Sequence, residues 1–223
     1  KLVGMLSDRD VLAGAGIRAS GVEGKVGDAM SAPVQTTTPD TPVEDAAAVL
    51  ATTKIGCLPV VEAERLVGLL TVTDVLAHVA QVPVEALGPM EESVTTVMTR
   101  EVDTIGPADS LFDAALRLHH GSYRHLPVVD ADERVVGMLS DRDVRNAFGD
   151  PRKLVERDDV DHEHALGIRV DEAMTPTPIT VSEEATLGDA VAAFLDARVG
   201  AIPVVHAETG RLRGLVSYLD ALA

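Results

Sequence analysis

An α/β fold made of tandem repeats is predicted by three observations. A seven-residue motif of glycine, two apolar residues, a hydroxyl residue, two variable positions and aspartate closes the repeat at Gly4–Asp10, Gly68–Asp74, Gly137–Asp143 and Gly214–Asp220. An apolar run with a proline stands upstream of three of these motifs: Leu58-Pro-Val-Val61, Leu126-Pro-Val-Val129 and Ile202-Pro-Val-Val205. An alanine-rich segment with helical spacing precedes each run. Strand-like and helix-like periods therefore alternate, and they do so repeatedly, which is the signature of a repeat architecture.

In chain order, each complete repeat begins with a leading segment: Val26-Gly-Asp-Ala-Met30, Val94-Thr-Thr-Val-Met98 or Val170-Asp-Glu-Ala-Met174. A Val/Thr-rich strand follows, and then a helix with its own start signal. Thr41-Pro-Val-Glu44 has a hydroxyl N-cap with proline in the first turn, and Ser110-Leu-Phe-Asp113 and Thr186-Leu-Gly-Asp189 repeat the box without the proline. Leu111, Ala114, Ala115 and Leu118 give that helix one face to bury. The Pro-Val-Val run is too short for a helix and too apolar for an exposed strand, so it belongs inside a sheet, with its proline among the first positions, where no ladder donor is required. The closing motif supplies the last strand and the start of the last helix. One repeat thus reads strand, helix, strand, strand, helix.

The complete repeats span 25–80, 93–148 and 169–223, joined by a linker at 81–92 and a longer charged linker at 149–168. Residues 1–20 read as the C-terminal half of a first repeat, whose strand Leu2–Leu6 has no sequence-local partner. The expectation is that the natural chain extends upstream by a half-repeat, or that a neighbouring chain supplies the strand. A repeat of about 55 residues buries too little surface to stand alone, so repeats are expected to pair sheet against sheet, the third and fourth forming a complete module.

Composition narrows the partners. Of 223 residues, 46% are apolar, enough for a core, and the formal charge is −17, from 36 acidic and 19 basic residues. So acidic a chain repels a phosphate backbone, which argues against nucleic acid. No apolar run is long enough to cross a bilayer and no signal-peptide layout opens the sequence, so the location read here is cytoplasmic, with no membrane partner. Few lysines, 2% aromatics and abundant acids suit a protein kept soluble in high salt, hence a halophilic expectation. The single cysteine, Cys57, reads as a buried small hydrophobe. In the charged linker, Asp161-His-Glu-His164 reads as solvated residues in preference to metal ligands. There is no Walker loop, no glycine fingerprint opening a helix and no nucleophile with its base, so no catalytic residue and no resident cofactor or metal is assigned.

With these motifs in place, the chain resembles the CBS domain along nearly its whole length, as tandem β-α-β-β-α units. The resemblance implies repeats paired sheet-to-sheet into Bateman modules, associated as an intrachain disc or a homodimer. It also implies an adenosine nucleotide (AMP, ADP or ATP) or S-adenosylmethionine in clefts between paired repeats. The closing Asp would hold the ribose and the hydroxyl would lie near phosphate. That assigns Ser7 and Asp10, Thr71 and Asp74, Ser140 and Asp143, and Ser217 and Asp220 as ligand-binding candidates. Arg9 and Arg142 add a cation in two copies, and Thr95, Arg100, Tyr123, Arg124 and His125 occupy positions that approach base or phosphate in the family. Elementary chemistry allows this, because a carboxylate accepts from vicinal hydroxyls and a hydroxyl at a helix start joins backbone donors around an anion. The same pair serves equally as a helix cap, and Arg100, Arg124 and His125 equally suit surface ion pairs. The function expected is regulatory ligand sensing for an unidentified partner protein. The alternatives are a scaffold with vestigial sites, or the regulatory portion of a larger enzyme or transporter.

Overall fold

The computed structural model describes residues 1–7, 10, 16–18, 21–23, 25–79, 91–121, 124–148 and 167–222. Two compact units emerge, one made of Lys1–Leu2, Gln35–Glu101 and Ile179–Ala223, the other of Val3–Val34 and Val102–Pro178. Each unit draws on more than one sequence repeat, so the boundaries of folding and of repetition do not coincide.

Before the second repeat, a short hairpin pairs β1 (Gly16–Arg18) with β2 (Gly21–Glu23), a feature the sequence reading did not include. The second repeat then runs α1 (Val26–Ala29), α2 (Val43–Thr53), β3 (Cys57–Glu62), β4 (Arg65–Thr71) and α3 (Val72–Val79). The third opens with a 3-10 turn at Val94–Thr96 and continues through α4 (Leu111–His120), β5 (His125–Val129), β6 (Val135–Ser140) and α5 (Asp141–Phe148). The fourth has α6 (Val170–Ala173), β7 (Thr175–Pro176), β8 (Val181–Ser182), α7 (Leu187–Ala197), β9 (Ala201–Val205), β10 (Leu212–Ser217) and a 3-10 turn at Asp220–Leu222.

Within each repeat the Pro-Val-Val strand is central. It pairs antiparallel with the closing strand (β3 with β4, β5 with β6, β9 with β10) and parallel with a short stretch ahead of the first helix, through Thr37↔Val60, Ile105↔Val128 and Val181↔Val204. The proline is the third residue of each strand, deeper than expected. Its carbonyl accepts from the parallel neighbour (Thr37 N–H to Pro59 at 2.9 Å, Ile105 N–H to Pro127 at 3.2 Å). All of β9 is buried, whereas Cys57 in β3 is only half-buried, less than expected. Burial still pushes the Cys57 thiol up, away from the reactive thiolate.

Capping explains where the helices start. Thr186 and Asp189 close a full capping box on α7, and the two hydrogen bonds from Thr186 hold the Asp189 carboxyl below its ordinary value. Ser110 accepts from Phe112 N–H at 3.0 Å on α4. On α2 the expected Thr41 cap is corrected by one residue. Pro42 is the N-cap and makes no side-chain cap bond, while Thr41 Oγ1 lies 2.9 Å from Thr38 Oγ1. The proline occupies the position that Ser110 and Thr186 hold in the other repeats.

Two cores follow. One joins the second and fourth repeats through helices, with Ala46, Leu50, Val75 and Leu76 packed with Ala190, Val191 and Phe194. The other collects α4, β5, β6 and α5 of the third repeat around Leu111, Leu126 and Leu139, and includes Val170 from the leading segment of the fourth.

That last contact is one of a set. The leading segment of the third repeat lies on the fourth: Thr99 pairs with Leu215 through N–H···O bonds of 2.9 Å in both directions, and Val94 N–H donates to Ala185. The leading segment of the fourth lies on the third: β7 pairs with β6, and Val170 N–H donates to Asp109. In the same way Ser31, leading the second repeat, pairs with Met5. At Leu2–Leu6 the structure describes one bridge, Met5 with Ser31, which is the counterpart of the leading-segment contact and not of the Pro-Val-Val pairing.

Candidate functional site: the strand-to-helix brackets

In the second, third and fourth repeats the hydroxyl residue of the closing motif ends the closing strand and the aspartate follows three residues later, at the start of α3, of α5 or of the last 3-10 turn. This spacing lets each side chain reach the backbone of the other. In the third repeat Asp143 Oδ2 accepts from Ser140 N–H at 2.8 Å and from Ser140 Oγ at 2.6 Å, while Asp143 N–H donates to Ser140 Oγ at 3.3 Å. Thr71 with Asp74, Ser217 with Asp220 and Ser7 with Asp10 form the same bracket, with backbone bonds of 2.8 Å in each. The reciprocal bonding of a capping box is thus present in all four copies.

Only Oδ2 is committed by the bracket. Asp10 also accepts from Ser31 Oγ at 3.3 Å through Oδ1, whereas no described residue bonds to Oδ1 of Asp74, Asp143 or Asp220. A carboxylate so held is rigid and keeps one oxygen for an external donor. The Ser140–Asp143 and Ser217–Asp220 brackets are part-buried, while the Thr71–Asp74 and Ser7–Asp10 brackets are exposed.

Around Ser140 and Asp143 the chain gathers further polar groups. His125 heads β5 directly opposite Ser140, and Arg124 carries the carbonyl that accepts from Asp141 N–H at 2.9 Å. Burial pulls the His125 imidazole below its ordinary value, with Asp141 and Asp143 partly opposing and Arg124 adding to the shift, so a neutral ring is favoured. Arg142 is exposed on the first turn of α5. Arg145, which sequence reasoning missed, is 8% exposed and pairs with Asp141 at 2.6 Å, leaving Nε buried without a partner among the described residues. Its signal was the charged run after Ser140, in which Arg145 takes the place that the buried Leu76 fills in the second repeat.

The other candidates group differently. Thr95 and Arg100 lie together, Arg100 Nη2 donating to the Thr95 carbonyl at 3.1 Å and Thr95 Oγ1 lying 2.9 Å from Ser93 Oγ. Their segment is the one paired with β10, so they belong to the compact unit of Ser217 and Asp220, not that of Ser140 and Asp143. Arg9 and Tyr123 lie outside the described residues, as does Asp161–His164. Among the described residues no group of His, Cys, Asp and Glu could hold a metal ion, and no helix is long and apolar enough to cross a membrane.

The CBS domain matches residues 26–81, 94–150 and 170–223. The chain belongs to the CBS domain family. The uncharacterised protein MJ1404 of Methanocaldococcus jannaschii is 28% identical over 186 residues, covering 82% of the chain and 43% of that protein. An inosine-5'-monophosphate dehydrogenase of Thermoplasma acidophilum is 34% identical over 119 residues, covering 52% of the chain and 22% of the enzyme. The chain therefore spans less than half the length of these curated relatives. Among solved structures, protein MJ1225 of M. jannaschii, described as a proposed archaeal homologue of g-AMPK, aligns over 100% of the chain and 83% of its own. Its TM-score is 0.77 at 23% identity. The architecture is that of tandem CBS domains in Bateman-module structures.

Proposed function

We propose that this CBS protein is a non-catalytic sensor that binds an adenosine nucleotide at its strand-to-helix brackets and passes the signal to a partner protein. The observation that carries this reading is the divided carboxylate: Oδ2 of Asp143 caps the helix while Oδ1 takes no bond from a described residue. Capping then orients the group that would accept from ribose hydroxyls, so the two roles are compatible. The third repeat's bracket is the leading site, because Arg124, Arg142 and the neutral His125 accompany it in a protein whose charge is otherwise −17. Nucleotide would act by linkage, shifting the partner only through its different affinity for two arrangements of the repeats.

Calorimetric titration and thermal melting with AMP, ADP, ATP and S-adenosylmethionine test this. A ligand at 100 times its Kd stabilises by about 2.7 kcal/mol. Asp143→Ala is expected to abolish that gain at the leading site and to cost about 1 kcal/mol as a lost cap. Asp189→Ala removes the same bracket from α7 and controls for capping alone, leaving ligand affinity unchanged. Absence of any shift with all four compounds sinks the sensor. That result would favour a scaffold, in which the brackets only cap helices.

A further inference from the structure

Two positions after each closing strand, the first and the fifth past the hydroxyl residue, hold uncharged residues packed into a core in the second and fourth repeats. Val72 and Leu76 are buried there, and Tyr218 and Leu222 pack against the same core. In the third repeat these positions hold Asp141 and Arg145, one helical turn apart and joined by an ion pair of 2.6 Å. The Ser7 copy has Asp8 but Leu12 in these places, so the arginine separates the two Ser-Asp-Arg-Asp copies.

Stability does not account for the exchange. Arg145 is buried, its Nη1 donates to Asp141 Oδ2, and its Nε finds no acceptor among the described residues. A desolvated cation held at one end leaves a donor unsatisfied, and a buried ion pair is commonly matched or bettered by apolar residues of similar volume. Leucine and valine, as in the second repeat, would pack these positions at lower cost.

The surroundings of Asp141 supply another reason. Its N–H donates to the carbonyl of Arg124, the residue before His125, and His125 stands opposite Ser140 across the β5–β6 pair. Asp141 and Asp143 both act on the His125 ring, as does Arg124. A second carboxylate therefore borders the Ser140–Asp143 bracket from the first turn of α5. Its charge would repel a phosphate arriving at Ser140, and the repulsion is strong where water is partly excluded. The second and fourth repeats, with Val72 and Tyr218 at this position, carry no such charge.

We propose that Arg145 is a positioning residue of the third repeat's site: it holds and neutralises Asp141 from within the core, so that the Ser140–Asp143 bracket accepts a phosphate-bearing ligand. This rests on the nucleotide reading of that bracket. Arg145 acts through Asp141 and not on the ligand, because its Nη1 is committed to that carboxylate and its side chain is buried. Affinity for the phosphate then depends on the pair, whereas affinity for the nucleoside part does not.

The test titrates the chain with AMP and with adenosine, which lacks the phosphate, and reads binding at this site from the His125 ring signals by NMR. Arg145→Leu is expected to weaken AMP about tenfold or more and adenosine less than about threefold, since only phosphate meets the Asp141 charge. Asp141→Val/Arg145→Leu, which installs the apolar pair of the second repeat, should bind AMP within about threefold of the wild type. Without ligand, the His125 titration should move upward in Arg145→Leu, where Asp141 acts on the ring unneutralised. Arg145→Gln, which can still donate to Asp141 but carries no charge, repeats these measurements should Arg145→Leu fold poorly. Equal weakening of AMP and adenosine would make Arg145 structural and overturn the proposal, as would a double variant as weak for AMP as Arg145→Leu, or an unmoved His125 titration. Each of these leaves nucleotide sensing standing when the wild type binds AMP. A wild type whose His125 signals respond to neither compound overturns both this proposal and the sensor at the third repeat.

Discussion

β4 and β6 carry the same closing motif and pair with the same Pro-Val-Val strand, yet one is an exposed edge and the other is covered. At Gly137 the neighbouring leading segment adds β7, and Met138 and Leu139 are 8% and 0% exposed. At Gly68 no described strand is added, Leu69 is 53% exposed, and Leu70, the counterpart of Leu139, is only half-buried. Near-identical local sequence thus produces one strand with Met138 and Leu139 buried and one in which Leu69 faces water and Leu70 only partly joins a core. What differs is the presence of a segment from another repeat, so burial here is set by exchange between repeats and not by the motif.

The contrast can be broken at several depths. The largest expected effect is at the residue after the glycine. Met138→Ala should cost about 2–5 kcal/mol by emptying a covered site, and Leu69→Ala should stay within about 0.5 kcal/mol, both read from urea unfolding midpoints. Equal costs would mean that β4 is covered in solution.

Next come the glycines, which sharpen the ranking. Gly214→Ala brings a Cβ to 2.7 Å from both Met98 Sδ and the Thr99 carbonyl, and the backbone atom cannot swing aside. A loss of about 1–3 kcal/mol is expected there. Gly137→Ala should fall at the low end of that range, about 1 kcal/mol, because the Met174 thioether it meets is flexible. Gly68→Ala should be neutral or slightly stabilising, since a Cβ fits and the unfolded chain loses freedom.

The smallest effect is in pH. His125 is held below its ordinary value of 6.5, so below pH 6.5 the unfolded chain takes up a proton that the folded chain resists. Stability should fall as pH drops through that window and level off below the folded-state value. His125→Asn should flatten the profile.

Much of this architecture is legible in the sequence because it is written locally and repeatedly. The helix face of Leu111, Ala114, Ala115 and Leu118 is buried throughout, and the motifs at Gly68–Asp74 and Gly137–Asp143 run from strand into helix. What escaped reading is non-local. Nothing near Met98 announces that it covers Gly214, and nothing in α2 announces that it shares a core with α7 of a repeat far along the chain. The Thr41 cap was misread because the hydroxyl rule outweighed the alignment with Ser110 and Thr186, which places Pro42 at the cap. At the site, the Ser-Asp pairing was readable from spacing alone. The grouping of Thr95 and Arg100 with Ser217 and Asp220 was not, since it depends on which repeat receives the leading segment. Arg145 was passed over because a buried arginine in a leucine position contradicts the pattern that defines the repeat.

The exchange of leading segments also makes the third and fourth repeats inseparable in a mechanical sense. Residues before the third repeat are stitched to β10, and residues before the fourth are stitched to β6, so each repeat holds a piece of the other's chain. Scission of the linker that follows Phe148 would cut one covalent strand and leave both stitches in place. The two fragments would stay clasped, and the backbone connection that appears to join the repeats is the tie they need least.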